Sequence, residues 1–189
     1  MDFSERVFCG QLKTDDIGNS VLLAGWIDAL RDHGGLLFAH LRDRSGIVQI
    51  VFSPQVADAE LCRRANALRA EYCIAVRGTV CRRLEGTENP HIETGQIEVT
   101  VDELTVLAES EALPFTISEK AMLAGAEAVA ADNVSEDLRL QYRYLDIRRP
   151  SMRDNLIARH RIFHCVREFL DERGFLEIET PVLTASTPE

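Results

Sequence analysis

Residues 25–52 read GWIDALRDHGGLLFAHLRDRSGIVQIVF, three apolar runs cut by two tight turns. The turns are Asp32-His33-Gly34-Gly35 and Arg44-Ser45-Gly46, where glycine supplies the positive φ that short connections need. This pattern predicts a curved, three-stranded meander. Arginines, a phenylalanine and a glutamine are set among its apolar positions. A sheet face carrying cations, a ring and an amide suits the splayed-out bases of a single-stranded nucleic acid.

The flanking sequence extends the meander. Residues 21–31, 36–42 and 47–52 make three strands. Residues 56–71 have helical spacing, with Leu61, Ala65 and Leu68 on one face. Residues 72–83 alternate through Ile74, Val76 and Val80, a polar loop follows over 85–95, and residues 97–107 form a last strand through Ile97, Val99 and Val101. Five strands with a helix between the third and fourth is the order of an OB-fold, a small closed β-barrel. That predicts a mainly β domain over residues 1–107.

Residues 108–135, with Leu113-Pro114-Phe115 and an alanine-rich run over 124–132, read as a hinge or linker. From Ser135 the pattern turns helical. Ser135 caps a helix that runs to Asp146, Pro150 ends it, and a long helix spans 151–173. Gly174 stops that helix, and residues 175–179 form a strand broken by Thr180-Pro181. Residues 136–189 are thus expected to be the start of a second, α/β domain, and the chain a fragment of a longer protein.

Composition narrows the function classes. The chain has 189 residues and a net charge of −10, from 31 acidic against 21 basic residues. This opposes nonspecific DNA binding, which rests on a broad cationic surface. It leaves room for a local RNA site, because distant acids are screened beyond a Debye length of about 8 Å. All the basic residues except Lys13 and Lys120 are arginine, the better residue for bidentate phosphate contacts and stacking. No apolar segment follows Met1, and no run reaches membrane-spanning length; the expected location is cytoplasmic. The five cysteines form no CxxC pair and are expected to be reduced thiols.

The candidate nucleic-acid face is Arg31, Phe38, Gln49, Arg77 and Arg83. Leu37 and Phe38 point to opposite sides of one strand, so one of them faces out; the plain alternative is that Phe38 is core. Gln49 sits in Ile47-Val48-Gln49-Ile50-Val51 and needs partners or an outward position. His33 reads as a solvated turn residue. The remaining histidines (His40, His91, His160 and His164) have no metal spacing. There is no Walker loop, GxSxG or Rossmann fingerprint, so no complete active site is visible. A general single-stranded nucleic-acid binder and a purely structural fragment stay open as alternatives.

Four segments, GWIDALRDHGG, LRDRSGIVQIVF, YRYLDIRRP and GFLEIETPVLTASTPE, in this order resemble the bacterial-type aspartyl-tRNA synthetase family. The lysyl and asparaginyl enzymes share the barrel and the GF…ETP segment, whereas RYLDIRRPSM and STPE look like the aspartyl branch. The resemblance implies an anticodon-binding OB-fold, a hinge and the start of a class II catalytic domain. It implies anticodon contacts at Arg31, Phe38, Gln49 and Arg83, with Phe38 as the stacking ring. Pro181 matches the signature proline of the dimer-interface motif, and Glu189 matches the glutamate that opens a loop over the aspartate site. His33 and Gly86 resemble the non-discriminating subtype, which charges both tRNA(Asp) and tRNA(Asn). ATP and Mg²⁺ belong to motifs expected beyond residue 189, so the 189-residue piece is expected to be inactive alone. Asp28-Ala29-Leu30 and Cys81 depart from the family's basic pattern and imply a less cationic face.

Overall fold

The structure is a computed structural model and describes residues 2–117 and 134–183. Among these, contacts divide the chain into two units, one ending at Pro114 and one beginning at Phe115. Most of the expected hinge (118–133) lies outside the described residues, as does Glu189.

In the first unit, strands β1 (Ser20–His33), β2 (Leu36–Arg42), β3 (Ile47–Phe52), β4 (Cys73–Arg82) and β5 (Ile97–Ala108) close a barrel in the order β1-β2-β3-β5-β4. All neighbours are antiparallel except β3 and β5. Closure leaves no sheet edge for another chain to extend. The interior is filled by every second residue of each strand, including Leu23, Ile27, Leu41, Val48, Ile50, Phe52, Ile74, Val76, Val80, Val99 and Val101. The β1–β2 hairpin is tighter than expected. His33 is still in strand, and Gly34 (φ 62°) and Gly35 (φ 85°) alone form the loop. Two consecutive positive φ values are what a two-residue primed turn demands.

Helix α1 (Ala59–Asn66) is shorter than the expected 56–71. Asp58 caps it by accepting from the Leu61 N–H at 2.7 Å, which fixes where it starts. Leu61, Ala65 and Leu68 join the barrel core. The chain then leaves the helix for Glu71, which has φ 65°. Glu71 is held there from both ends. Its N–H donates to the Ile27 carbonyl at 2.7 Å, and its carboxylate accepts from Arg42 Nη2 at 2.7 and 2.9 Å.

That clamp sits at a β-bulge. Pairing of β1 with β2 slips between Ile27 and Ala29, leaving Asp28 as the extra residue. Asp28 is buried and ion-paired to Arg42, the same side chain that grips Glu71. The bulge reverses the alternation of β1. Without it, inward Ile27 would put Ala29 and Arg31 inside the barrel. With it, Leu30 packs on the core and Arg31 turns out.

In the second unit, the helix expected to run from Ser135 to Asp146 is two helices. α2 (Glu136–Gln141) and α3 (Arg143–Asp146) are separated by Tyr142 (φ −110°, ψ 48°). Ser135 caps α2, accepting from Leu138 N–H at 3.3 Å. The break lets Asp146 point into a buried cluster. It accepts from Arg139 Nε at 3.0 Å, from Arg143 and from Arg149 Nη1 at 3.4 Å. Burial raises the Asp146 pKa, but the Arg139 hydrogen bond and the three guanidiniums outweigh it and hold the value below the ordinary one.

Helix α4 spans Pro150–Asp171, with Pro150 opening it rather than only ending the previous segment. Around Gly174 the chain closes with Phe175 N–H donating to the Leu170 carbonyl at 3.1 Å. The strand expected over 175–179 is not formed. No strand among the described residues lies beside it, and a strand needs a neighbour to pair its backbone groups. The segment stays alongside α4 through Arg167, whose Nε donates to Glu177 at 2.7 Å.

Candidate nucleic-acid interface

Register fixes which side chains share the barrel's outer face. One row across the sheet runs Arg31, Phe38, Val51, Thr100, Thr79; the next runs Ala29, His40, Gln49, Glu98, Cys81. The bulge at Asp28 and the alternation of β2 and β3 therefore bring Arg31, Phe38 and Gln49 onto one surface. Phe38 is half-buried and points away from the core. It lies diagonal to Gln49 and directly across from Arg31, so one base can meet a ring, an amide and a cation together.

Gln49 is not a free amide. Its Nε2 donates to Glu98 Oε2 at 2.7 Å, and His40 sits directly across from it on β2. His40 is 9% exposed. Burial, together with the nearby Arg83 guanidinium, pushes its pKa down to about 4; Arg31 acts in the same direction, while Asp28 and the Gln49 hydrogen bond oppose. The ring is neutral at physiological pH. The spacing of the histidines says nothing of this role for His40, whereas its strand position does. The signal was present: it is two residues from Phe38 on β2, hence on the same face.

Arg83 differs from an exposed phosphate contact. It is 5% exposed, Nε donates to the Ile97 carbonyl at 3.1 Å and Nη1 to the Thr87 carbonyl at 3.4 Å. Its Nη2 is buried without a partner among the described residues. Arg83 thus lies beneath the face, beside His40 and Glu98, and burial lowers its pKa. Arg77 lies off both rows. It pairs in register with Leu22 and Glu103 and makes an ion pair with Glu5 at 3.2 Å.

The departures at 28–30 also change meaning. Asp28 is interior and neutralised by Arg42, and Leu30 packs on the core. Only Ala29 and Cys81 face outward, one at each end of the Gln49 row. His33 is exposed at the tip of the β1–β2 hairpin, opposite Leu36. Gly86 is in the β4–β5 loop with φ 83° and open space where a Cβ would stand. That loop is tied to the start of β3 by Thr94 Oγ1, which donates to the Ile47 carbonyl at 2.6 Å. The hairpin is next to the opposite end of β3. His33 and Gly86 therefore bracket the face from its two margins.

Pro181 lies in the exposed segment after α4. Several apolar side chains of α4 are exposed too, among them Leu156, Ile162, Phe163, Val166 and Phe169. Among the described residues no group of three His, Cys, Asp or Glu side chains converges on a possible metal position. No described helix is long and apolar enough to cross a membrane.

Comparison with known proteins agrees with this geometry. Residues 21–107 match the OB-fold nucleic acid binding domain family. Residues 135–189 match the class II tRNA synthetases of the D, K and N group. The barrel thus matches a nucleic-acid-binding class of domain, and the helical unit after it matches class II synthetases. All 189 residues align at 73% identity with an aspartate–tRNA(Asp/Asn) ligase of Syntrophus aciditrophicus, covering 26% of that protein. The corresponding ligase of Syntrophomonas wolfei is 53% identical over 92% of the chain and 28% of its own length. The asparaginyl-tRNA synthetase of Pyrococcus horikoshii, solved with asparaginyl-adenylate, superposes with a TM-score of 0.78 at 28% identity, over 96% of this chain and 38% of that one. An aspartyl-tRNA synthetase from Entamoeba histolytica shares the fold, with a TM-score of 0.80 at 22% identity over 95% of this chain and 40% of its own. The chain is similar along its length to these aspartate–tRNA(Asp/Asn) ligases, and it spans about a quarter of the length of the curated relatives it matches.

Proposed function

We propose that the barrel reads a tRNA anticodon for an aspartate–tRNA ligase. The intact enzyme activates L-aspartate with ATP and transfers it to tRNA(Asp) and tRNA(Asn). The observation that carries the reading is the single outward face on which Arg31, Phe38 and Gln49 meet. Phe38 stacks one base, Gln49 addresses its edge, and Arg31 meets the adjoining phosphate. Arg83 supports the face from beneath, with one donor still to spend. His33 and Gly86, at opposite margins, contact different nucleotides and set the tolerance for the two tRNAs. Pro181 and the exposed side of α4 belong to the interface of a homodimer, and Glu189 to the loop over the aspartate site. In the intact enzyme, ATP and Mg²⁺ are held by residues outside this chain. Adenylate formation needs positioning and charge neutralisation of a phosphate, so this chain alone is inactive.

The test is aspartylation of both tRNAs by the full-length enzyme. Failure to charge tRNA(Asp) overturns the reading; charging tRNA(Asp) but not tRNA(Asn) reduces it to the discriminating subtype. In titrations with an anticodon stem-loop, Phe38→Ala should cost about 1–3 kcal/mol, the worth of one stacked base. Gln49→Ala should also weaken binding. A barrel that prefers a poly-pyrimidine strand to a GUC or GUU loop is instead a general single-strand binder.

A further inference from the structure

The row that holds Gln49 contains a second polar residue for which the proposed reading has no role. His40 sits directly across from Gln49 on β2, as Glu98 does from the other side on β5. Gln49 Nε2 donates to the Glu98 carboxylate at 2.7 Å. A carboxylate only accepts, so the amide nitrogen must face Glu98 and the amide oxygen must face His40. With the amide nitrogen spent on Glu98, the group opposite the His40 ring in the register is Gln49 Oε1, and an imidazole N–H is the donor that can meet it. The amide is thus clamped in one of its two orientations, with a donor and an acceptor edge in fixed places.

We infer that His40 is a positioning residue that sets base specificity by fixing the orientation of the Gln49 amide. This rests on the anticodon reading above. An amide free to flip exchanges its donor and acceptor and accepts bases of either pattern. An amide held by His40 and Glu98 offers one pattern only. Phe38 is two residues from His40 and diagonal to Gln49, so the base concerned is the one stacked on Phe38. The ring must donate, which a neutral imidazole and a glutamine amide can both do. An aspartate at this position would accept only and would leave Gln49 Oε1 without its partner.

The experiment is aminoacylation by the full-length enzyme of tRNA(Asp) transcripts bearing each single anticodon substitution. The variants are His40→Ala, His40→Gln and His40→Asp. For wild-type tRNA, His40→Ala should raise KM about tenfold and leave kcat within twofold. Its discrimination should fall about tenfold at one anticodon position and hold at the other two. His40→Gln should restore both within about threefold, and His40→Asp should not. A uniform loss at all three positions, or rescue by aspartate as good as by glutamine, overturns the inference. A fall in kcat alone does the same, because it marks a structural role. If the wild-type enzyme charges no tRNA(Asp), the anticodon reading itself has failed. If it charges and discriminates normally but His40→Ala changes nothing, only the role of His40 has failed.

Discussion

The barrel and the helix α4 have similar apolar content and opposite fates. In the barrel, Phe52, Ile50 and Val99 are 2% exposed or less, sealed by neighbours within the same unit. On α4, Phe163 and Phe169 are 47% and 52% exposed, although Leu156, Phe163 and Leu170 recur at the seven-residue spacing of a buried stripe. The first region completes itself, while the second presents a face that needs a cover. An apolar area of that extent on one helix marks an interaction surface more often than a solvated one. The contrast explains why the site can be read from this chain and the catalytic chemistry cannot. Register within a closed barrel fixes side-chain directions locally, and an uncovered helix fixes nothing beyond itself.

The largest test of that contrast compares two phenylalanines. Phe52→Ala should cost about 3–5 kcal/mol, because a buried ring leaves a cavity in the core. Phe163→Ala in the same 189-residue chain should change stability by less than about 0.5 kcal/mol, the scale of surface substitutions. Urea denaturation followed by Trp26 fluorescence reports the barrel, and far-ultraviolet dichroism reports α4. Equal losses for the two substitutions would dissolve the distinction between a sealed and an open region.

A second test uses one buried ionisable group from each region. His40 in the barrel is kept neutral, with its pKa lowered from 6.5 to about 4. Unfolding restores the higher value, so the unfolded chain binds more protons between those limits. Barrel stability should therefore be full above pH 6.5, fall as pH drops to about 4, and level off below. The total change is about 3 kcal/mol. Asp146 is the reverse case. It is kept charged by Arg139, Arg143 and Arg149, and its folded pKa is lowered. Its contribution is present above the unfolded carboxylate value of about 4 and is lost only as pH falls below that. Hydrogen exchange at pH 7 and pH 5 should show the barrel amides loosening while protection of α2 and α3 holds. His40→Gln, with no proton to gain, should flatten the barrel's dependence over that window. An unchanged slope in that variant would remove His40 as the cause.

The parts of this molecule that were legible in its sequence are those decided by neighbours in the chain. Strands β2 and β3 begin and end at the residues their alternation and turn glycines predict, and the cap at Ser135 and the stop near Gly174 follow from local chemistry. The features that decide the site beyond this are long-range. Whether Arg31 faces out depends on the bulge at Asp28, which depends on Glu71 and Arg42 closing around Ile27 from separate elements. Arg83 looks like a surface cation until the Ile97 and Thr87 carbonyls are found to hold it inside. The segment 175–179 has strand composition, but a strand is a relation to another segment. His40 falls between these cases, since its facing follows from period two once Phe38 is placed outside, and its partner Gln49 follows from the β2–β3 register.

Gly86 offers the smallest and sharpest test, because a loop at the margin of a self-completing barrel should tolerate change that its core does not. The residue has φ 83°, where an L side chain costs about 1–2 kcal/mol. A Cβ there would meet no atom within 4 Å, so the cost of Gly86→Ala is conformational strain without a clash. The loop is anchored on both sides of that position: Gly86 N–H donates to Glu88 Oε2 at 2.8 Å, and Thr87 Oγ1 to the Leu84 carbonyl at 2.7 Å. The strain should therefore stay within the loop. Gly86→Ala should lower barrel stability by about 1 kcal/mol, and Gly86→Asn should lower it less, because asparagine tolerates the left-handed region. If the two variants instead lose stability equally, the glycine is not there for its backbone. The left-handed backbone would then not be what calls for glycine at this position, and only the role proposed for Gly86 at the margin of the face would remain.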